Sequence, residues 1–128
     1  MFVMLNPSVA DAHQDDPTIR RCMGFARGWG YGALVVGNLF AFRSRSPTAL
    51  KRCAAPIGPE NDCWLTALAS EAGTLVAAWG NHGQLLGRCQ HVRALLPCLM
   101  CLGLTRRGEP RHPLYVPMST TLAPLPGA

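Results

Sequence analysis

Short apolar runs alternate with longer segments whose apolar residues recur at helical spacing. Phe2–Leu5 is a short apolar run that reads as a buried strand. It stops at Asn6-Pro7-Ser8, a turn signal, and a polar loop with Asp11, His13 and Asp15 follows. Asp16-Pro17 supplies an N-cap and a proline at the first helical position. Ile19, Cys22, Met23, Phe25 and Ala26 then fall at helical spacing, which predicts a helix over 17–29, with Arg20, Arg21 and Arg27 largely on its other face. Residues 33–39 form a second predicted strand centred on Val35 and Val36. Residues 40–58, rich in Arg, Ser and Pro, read as a long loop of the kind that usually carries function. Further on, the pattern predicts a helix over 59–72, a strand over 74–79, a helix over 83–96 and a strand over 99–104. A basic loop leads into His112-Pro113-Leu114-Tyr115, and residues 119–128 read as a poorly ordered tail.

This β-α-β-α-β-α-β order predicts a single α/β domain over residues 1–118. Its expected architecture is three layers, α/β/α, around a central four-stranded, mainly parallel sheet covered on both faces. In such sheets a ligand sits outside the carboxyl ends of the strands. The predicted strands end on Asn6-Pro7-Ser8, on Asn38, on Trp79-Gly80-Asn81-His82 and on Thr105 leading toward His112. The site is therefore expected where those ends converge.

Composition changes this picture in three ways. With 48% hydrophobic and 15% charged residues in 128, the chain has a real core to bury and is not a disordered segment. The formal net charge is +5, and Lys51 is the only lysine among the 12 basic residues. Arginine bonds phosphate with a planar fork, so the bias fits a polyanion, although a GC-rich coding sequence would produce it too. No apolar stretch approaches the ~20 residues of a membrane span, and Asn6-Pro7 cuts the first apolar run short of a signal sequence. The chain is expected to be cytoplasmic, monomeric and free of membrane partners, with its six cysteines (22, 53, 63, 89, 98 and 101) reduced.

Four segments carry a first resemblance. Met4-Leu5-Asn6-Pro7-Ser8 resembles motif A of the uracil-DNA glycosylase superfamily, which reads Gly-x-Asn-Pro-Gly in its mismatch-specific and single-strand-selective branches. Val36-Gly37-Asn38-Leu39 looks like the strand whose Asn reads the base edge. Ala78-Trp79-Gly80 sits where the superfamily often has Leu-Gly, and His112-Pro113-Leu114 resembles motif B, usually His-Pro-Ser. At closer range the whole chain is similar to an uncharacterised bacterial and phage family. Its signature here comprises Leu5-Asn6-Pro7-Ser8, Asp16-Pro17-Thr18-Ile19-Arg20-Arg21-Cys22, Asn38-Leu39-Phe40-Ala41-Phe42-Arg43, Gly58-Pro59-Glu60-Asn61-Asp62 and Arg111-His112-Pro113-Leu114-Tyr115.

The resemblance implies a monofunctional DNA N-glycosylase without metal or other cofactor, acting on single- or double-stranded DNA. Such an enzyme extrudes a nucleotide, reads its base, positions a water and stabilises the departing base anion. Asn6 would position the water and His112 would donate to the base oxygen. Asn38 would bind the base edge, beside Pro7 and Ser8, with Phe40 and Phe42 as stacking candidates. Arg43, Arg45 and Arg111 would hold phosphates. Two positions depart from the superfamily pattern. Ser8 stands in place of Gly, where a Cβ crowds the approach of a nucleotide, and Leu114 stands in place of Ser on the groove-probing loop, where an apolar wedge could substitute. Strand one opens the chain where the superfamily has a preceding segment. With Ser8, this is expected to leave the pocket open enough for a modified pyrimidine such as a hydroxymethyl or glucosylated phage base, which would suit defence against phage.

Bland readings stand beside these. Asn6-Pro7 also suits an ordinary turn, Asn38 a loop cap, His112 an exposed idle ring, and Arg43-Ser44-Arg45-Ser46 a solvated loop. His13, His82 and His91 show no metal-ligand spacing. Cys98-x-x-Cys101 lies in an apolar run and reads as buried core thiols rather than cluster ligands. Two rival functions follow: a non-catalytic nucleic-acid-binding module on the same scaffold, and a hydrolase or binder of free nucleosides or nucleotides.

Overall fold

The computed structural model describes residues 1–7 and 16–127, and within them the chain is an α/β domain built on one five-stranded sheet. Strands β1 (Phe2–Met4), β2 (Val36–Asn38), β3 (Val76–Ala77), β4 (Met100–Cys101) and β5 (Ala123–Pro124) lie in the order β2-β1-β3-β4-β5. The first four run parallel and β5 is antiparallel to β4. In β1, Val3 packs on one face while Phe2 and Met4 pack on the other. Leu75 and Ala77 join Val3, and Val76 and Ala78 join Phe2. The period-2 alternation of a strand thus feeds two separate cores, one per face, as a three-layer arrangement requires.

Helix α1 (Pro17–Gly28) covers the Phe2 face through Cys22 and Phe25. Burial, reinforced by the charge of Asp16, pushes the Cys22 thiol up to about 12, so it stays protonated. The Asp16 carboxylate accepts from the backbone of Thr18 and Ile19 at 2.9 and 3.3 Å, which caps α1 as its sequence predicts. The Val3 face is covered by α2 (Pro47–Arg52), α3 (Asn61–Ser70) and α4 (Arg88–Leu95), through Leu50, Leu65 and Val92.

Three expectations change. The 40–58 segment is not all loop: Ser46 caps and Pro47 opens α2, with Ser46 Oγ accepting from Ala49 N at 3.2 Å. The helix expected from 83 starts at Arg88, because Leu86 and Gly87 both take positive φ (56° and 64°) and break the helical path. The segment expected to be a poorly ordered tail supplies β5, and Leu125 N donates to Leu99 O at 2.9 Å. Proline is compatible with that strand because it forms the sheet edge. Among the described residues no helix is long and apolar enough to cross a membrane.

Candidate functional site

Strand β1 connects through α1 to β2 on one side of it. Strand β3 connects through α4 to β4 on the other. Chain direction therefore diverges between β1 and β3, and a crevice opens at their carboxyl ends. A cleft of about 1020 Å³ lies there, at the upper end of the size of small-molecule sites. Asn6, Pro7, Asn38, Arg45, Arg111 and His112 all line it.

Asn6 follows β1 directly. Its Nδ2 donates to Phe42 O at 3.0 Å and to Ser44 Oγ at 2.9 Å. A carbonyl oxygen only accepts, so the bond to Phe42 fixes which end of the amide is nitrogen. Both amide hydrogens are thereby committed to the loop after β2. The side-chain carbonyl is left without a donor from any described residue, beside the cleft.

Asn38 ends β2 opposite Met4. Its backbone carbonyl accepts from Asn61 Nδ2 at 2.9 Å, and the same nitrogen bonds Leu39 O at 2.9 Å. Leu39 O also accepts from Arg88 Nε at 2.6 Å. Arg88 is only 2% exposed, and its Nη1 pairs with Asp62 Oδ1 at 2.6 Å. Asp62 in turn meets His91 Nε2 at 2.8 Å. Burial of Asp62 opposes its ionisation, but the hydrogen bonds from His91 and Arg88 and their charges outweigh it and hold the carboxyl below the usual carboxylate range. The strand end that presents Asn38 is thus braced from behind by α3 and α4. No described residue hydrogen-bonds the Asn38 side-chain amide, which keeps both a donor and an acceptor for a ligand.

His112 precedes a one-turn 3₁₀ segment, Pro113–Tyr115, and its Nδ1 accepts from Leu114 N at 3.2 Å. Arg21 of α1 holds this turn. Its Nε donates to Pro113 O at 3.2 Å, its Nη2 donates to Val116 O, and its guanidinium lies over Phe25. Burial lowers the His112 pKa below the ordinary 6.5, with the charge of Asp16 partly opposing the shift. The ring is therefore neutral at pH 7.

The remaining expected residues divide. Phe40 is fully buried among Leu39, Leu50 and Leu65 and has no face left for a base. The regular strand ends at Asn38: the consecutive amides of Leu39 and Phe40 donate to Met4 O and Leu5 O at 2.9 and 3.0 Å, and both side chains pack into one core. Phe42 and Arg43 are exposed but do not line the cleft, and Phe42 contributes through its main chain instead. Ser8 and His13 lie outside the described residues. Cys101 is buried as expected, whereas Cys98 is exposed at a positive φ of 58° and is not a core thiol. No group of three or more His, Cys, Asp or Glu among the described residues could hold a metal ion.

Asp16, His82, Thr105, Arg106 and Tyr115 line the cleft without having been singled out for a role. His82 and Thr105 were legible as strand-end residues, and Arg106 as part of the basic loop. Behind them is a buried polar group. Trp79 Nε1 donates to Glu109 Oε2 at 2.7 Å, and Arg93 Nη2 lies 3.7 Å from the same oxygen. This ties the Thr105–Pro110 hairpin to the end of β3.

A mainly parallel sheet with a cleft at its switch point defines the class of an α/β domain. Residues 1–114 match the family described as "Protein of unknown function (DUF1643)", and the chain belongs to that family. No curated protein and no solved structure matches the chain.

Proposed function

We propose that this chain is a DNA glycosylase-like enzyme that hydrolyses the N-glycosidic bond of a flipped uracil or modified pyrimidine, including a modified phage base. One observation carries the reading: residues from three distant parts of the chain, Asn6, Asn38 and His112, line one cleft at the sheet's switch point. Their similarity to the glycosylase motifs gives each a role.

The side-chain carbonyl of Asn6, beside the cleft, accepts a hydrogen bond from a water aimed at the anomeric carbon. As the C–N bond breaks, its electron pair leaves with the base, and the water oxygen bonds the sugar. The water's proton passes to solvent, and the base is released after protonation. An amide is a weak proton acceptor, so the reaction depends on stabilising the leaving group more than on activating the water. His112, neutral with its proton on Nε2, donates to the base oxygen as negative charge builds there. Asn38 reads the base edge with its side-chain amide, and Arg45 and Arg111 hold phosphates. With DNA as its substrate, the chain works in the cytoplasm.

The test is base excision on oligonucleotides carrying uracil, 5-hydroxymethyl or glucosylated pyrimidines, read as alkali-labile abasic sites. Product from at least one of them, lost in Asn6→Ala and in His112→Ala, is expected. No abasic product with any base would sink the reading. DNA binding retained without product would leave a non-catalytic module on the same scaffold.

A further inference from the structure

Tyr115 is 77% exposed, yet it lines the cleft. Its ring stands 5.4 Å from that of His112, tilted by 48°. The turn that carries it is rigid: Tyr115 N donates to His112 O at 3.1 Å, and Arg21 holds the carbonyls of Pro113 and Val116 on either side. A largely exposed aromatic ring is thus held in place beside a candidate ligand residue. Leu114, the residue expected to probe a groove, does not line the cleft.

The charge on this flank is positive. Thr105 to Gly108 form a tight turn closed by the Leu104–Pro110 bridge, with Arg106 and Arg107 exposed on it. Arg106 lines the cleft, as does Arg111, whose Nε donates to Leu104 O at 3.1 Å. Both terminal nitrogens of Arg111 have no acceptor among the described residues. Arg45 lines the cleft too. Asp16 is the one described carboxylate lining the cleft, and it is engaged in capping α1.

We infer that the cleft receives a single-stranded DNA segment. Tyr115 stacks on the base adjoining the bound nucleotide, and Arg106 and Arg111 contact its phosphates. The inference rests on the reading of the cleft as a DNA site and adds the state of the strand. Arginines along a groove with an aromatic platform are what single strands bind, because their unstacked bases offer a face. A duplex keeps its neighbouring bases stacked and would have to break that stacking to reach Tyr115. The volume of about 1020 Å³ also exceeds what one flipped base occupies, so the cleft has room for a neighbour.

Fluorescence anisotropy with a labelled single strand and its duplex, across a salt series, tests this on the full chain. The single strand is expected to bind tighter than the duplex. Tyr115→Ala should weaken single-strand binding by about tenfold or more, the loss of one stacked base, while Tyr115→Phe keeps it within about twofold. Arg106→Ala should reduce the slope of log affinity against log salt by about 0.7, one phosphate contact. Trp64→Ala, which removes an aromatic 62% exposed but away from the cleft, should change nothing. Equal or tighter duplex binding, no binding of either form, an unaffected Tyr115→Ala, or an equal loss in Trp64→Ala would overturn the inference. Single-strand binding without excision of any base would uphold it while removing the glycosylase reading. Excision from duplex with Tyr115→Ala unimpaired would do the reverse.

Discussion

The backbone N–H of Leu114 donates to Nδ1 of His112 at 3.2 Å, and that bond decides which ring nitrogen can serve as a donor. A backbone amide cannot accept, so Nδ1 must present its lone pair and the neutral ring carries its proton on Nε2. Burial lowers the His112 pKa, and Asp16 raises it by a smaller amount. A histidine NMR titration should therefore place His112 below 6.5. Asp16→Asn should move it lower still, since Asn keeps the helix cap but removes the opposing charge. Because the folded pKa is depressed, the unfolded chain binds the proton first as pH falls. Stability should decline as pH drops below about 6.5 and level off once the folded ring is itself protonated. A midpoint at or above 6.5, or an upward shift in Asp16→Asn, would contradict this.

Arg21 holds the His112 turn through two carbonyls at once, those of Pro113 and Val116. Hydrogen bonds to a charged donor contribute about 1.5–3 kcal/mol, so Arg21→Ala should lower unfolding stability by about that amount. Arg21→Lys should recover little of it, because an ammonium cannot reproduce the planar fork. Urea denaturation measures both. In the same variants the His112 NMR signal should broaden or shift as the turn loosens, and an unchanged signal would show that the turn holds without Arg21.

Arg21 also shows where the sequence stops being legible. Its helical position marks it as part of a polar face. Nothing in the local pattern says that a turn 92 residues away will come to rest against it. The same holds for Asn61 and for the Nε of Arg88, whose acceptors are main-chain carbonyls that carry no sequence signature. The alternation of apolar runs and helical spacing does define the α/β architecture and the strand ends, because both follow from which face is buried. Helix α2 is legible in its start alone: Ser46-Pro47 repeats the cap-and-proline pattern of Asp16-Pro17, but a short helix amid Arg and Ser has too few apolar residues to show a stripe. Strand β5 is hidden because Pro124 and Pro126 read as breakers, a rule that an edge strand escapes. Phe40 is misread from sequence because adjacency to Asn38 says nothing about direction. Alternation along a continuing strand would put residues 38 and 40 on the same side, but the regular strand ends at Asn38, and Leu39 and Phe40 both turn into one core while Asn38 lines the cleft.

The brace behind Asn38 depends on Arg88, whose buried guanidinium joins Leu39 O to Asp62. Arg88→Ala should destabilise the fold by about 2–4 kcal/mol, below the full cost of breaking a buried pair because half-exposed Asp62 can regain solvent. Asp62→Asn isolates the charge. The folded Asp62 pKa is lowered, so its contribution is fully present above the usual 3.8 and is lost as pH falls through its own lower value. Wild type should exceed Asp62→Asn in stability at neutral pH, and the gap should close in acid. A gap that is constant with pH would assign the effect to packing instead.

Gly83 lies against the Trp79 ring, and a Cβ there would fall 2.7 Å from Nε1, with other ring atoms closer than van der Waals contact allows. That nitrogen is the atom that donates to buried Glu109 at 2.7 Å. The ring cannot yield cheaply, because moving it would strand a carboxylate that is only 5% exposed. Overpacking of this kind costs about 1–3 kcal/mol, and Gly83→Ala should lose at least that much in urea denaturation. A Cβ added at Gly28, at the end of α1, would meet nothing within 4 Å, so Gly28→Ala should be neutral or slightly stabilising. Since Trp79 also lines the cleft, Gly83→Ala should weaken ligand binding beyond what its stability loss explains at temperatures where the variant remains folded. Equal stability of the two alanine variants would mean that the Trp79–Glu109 contact is free to shift, and the end of β3 would then be a mobile wall of the cleft rather than a fixed one.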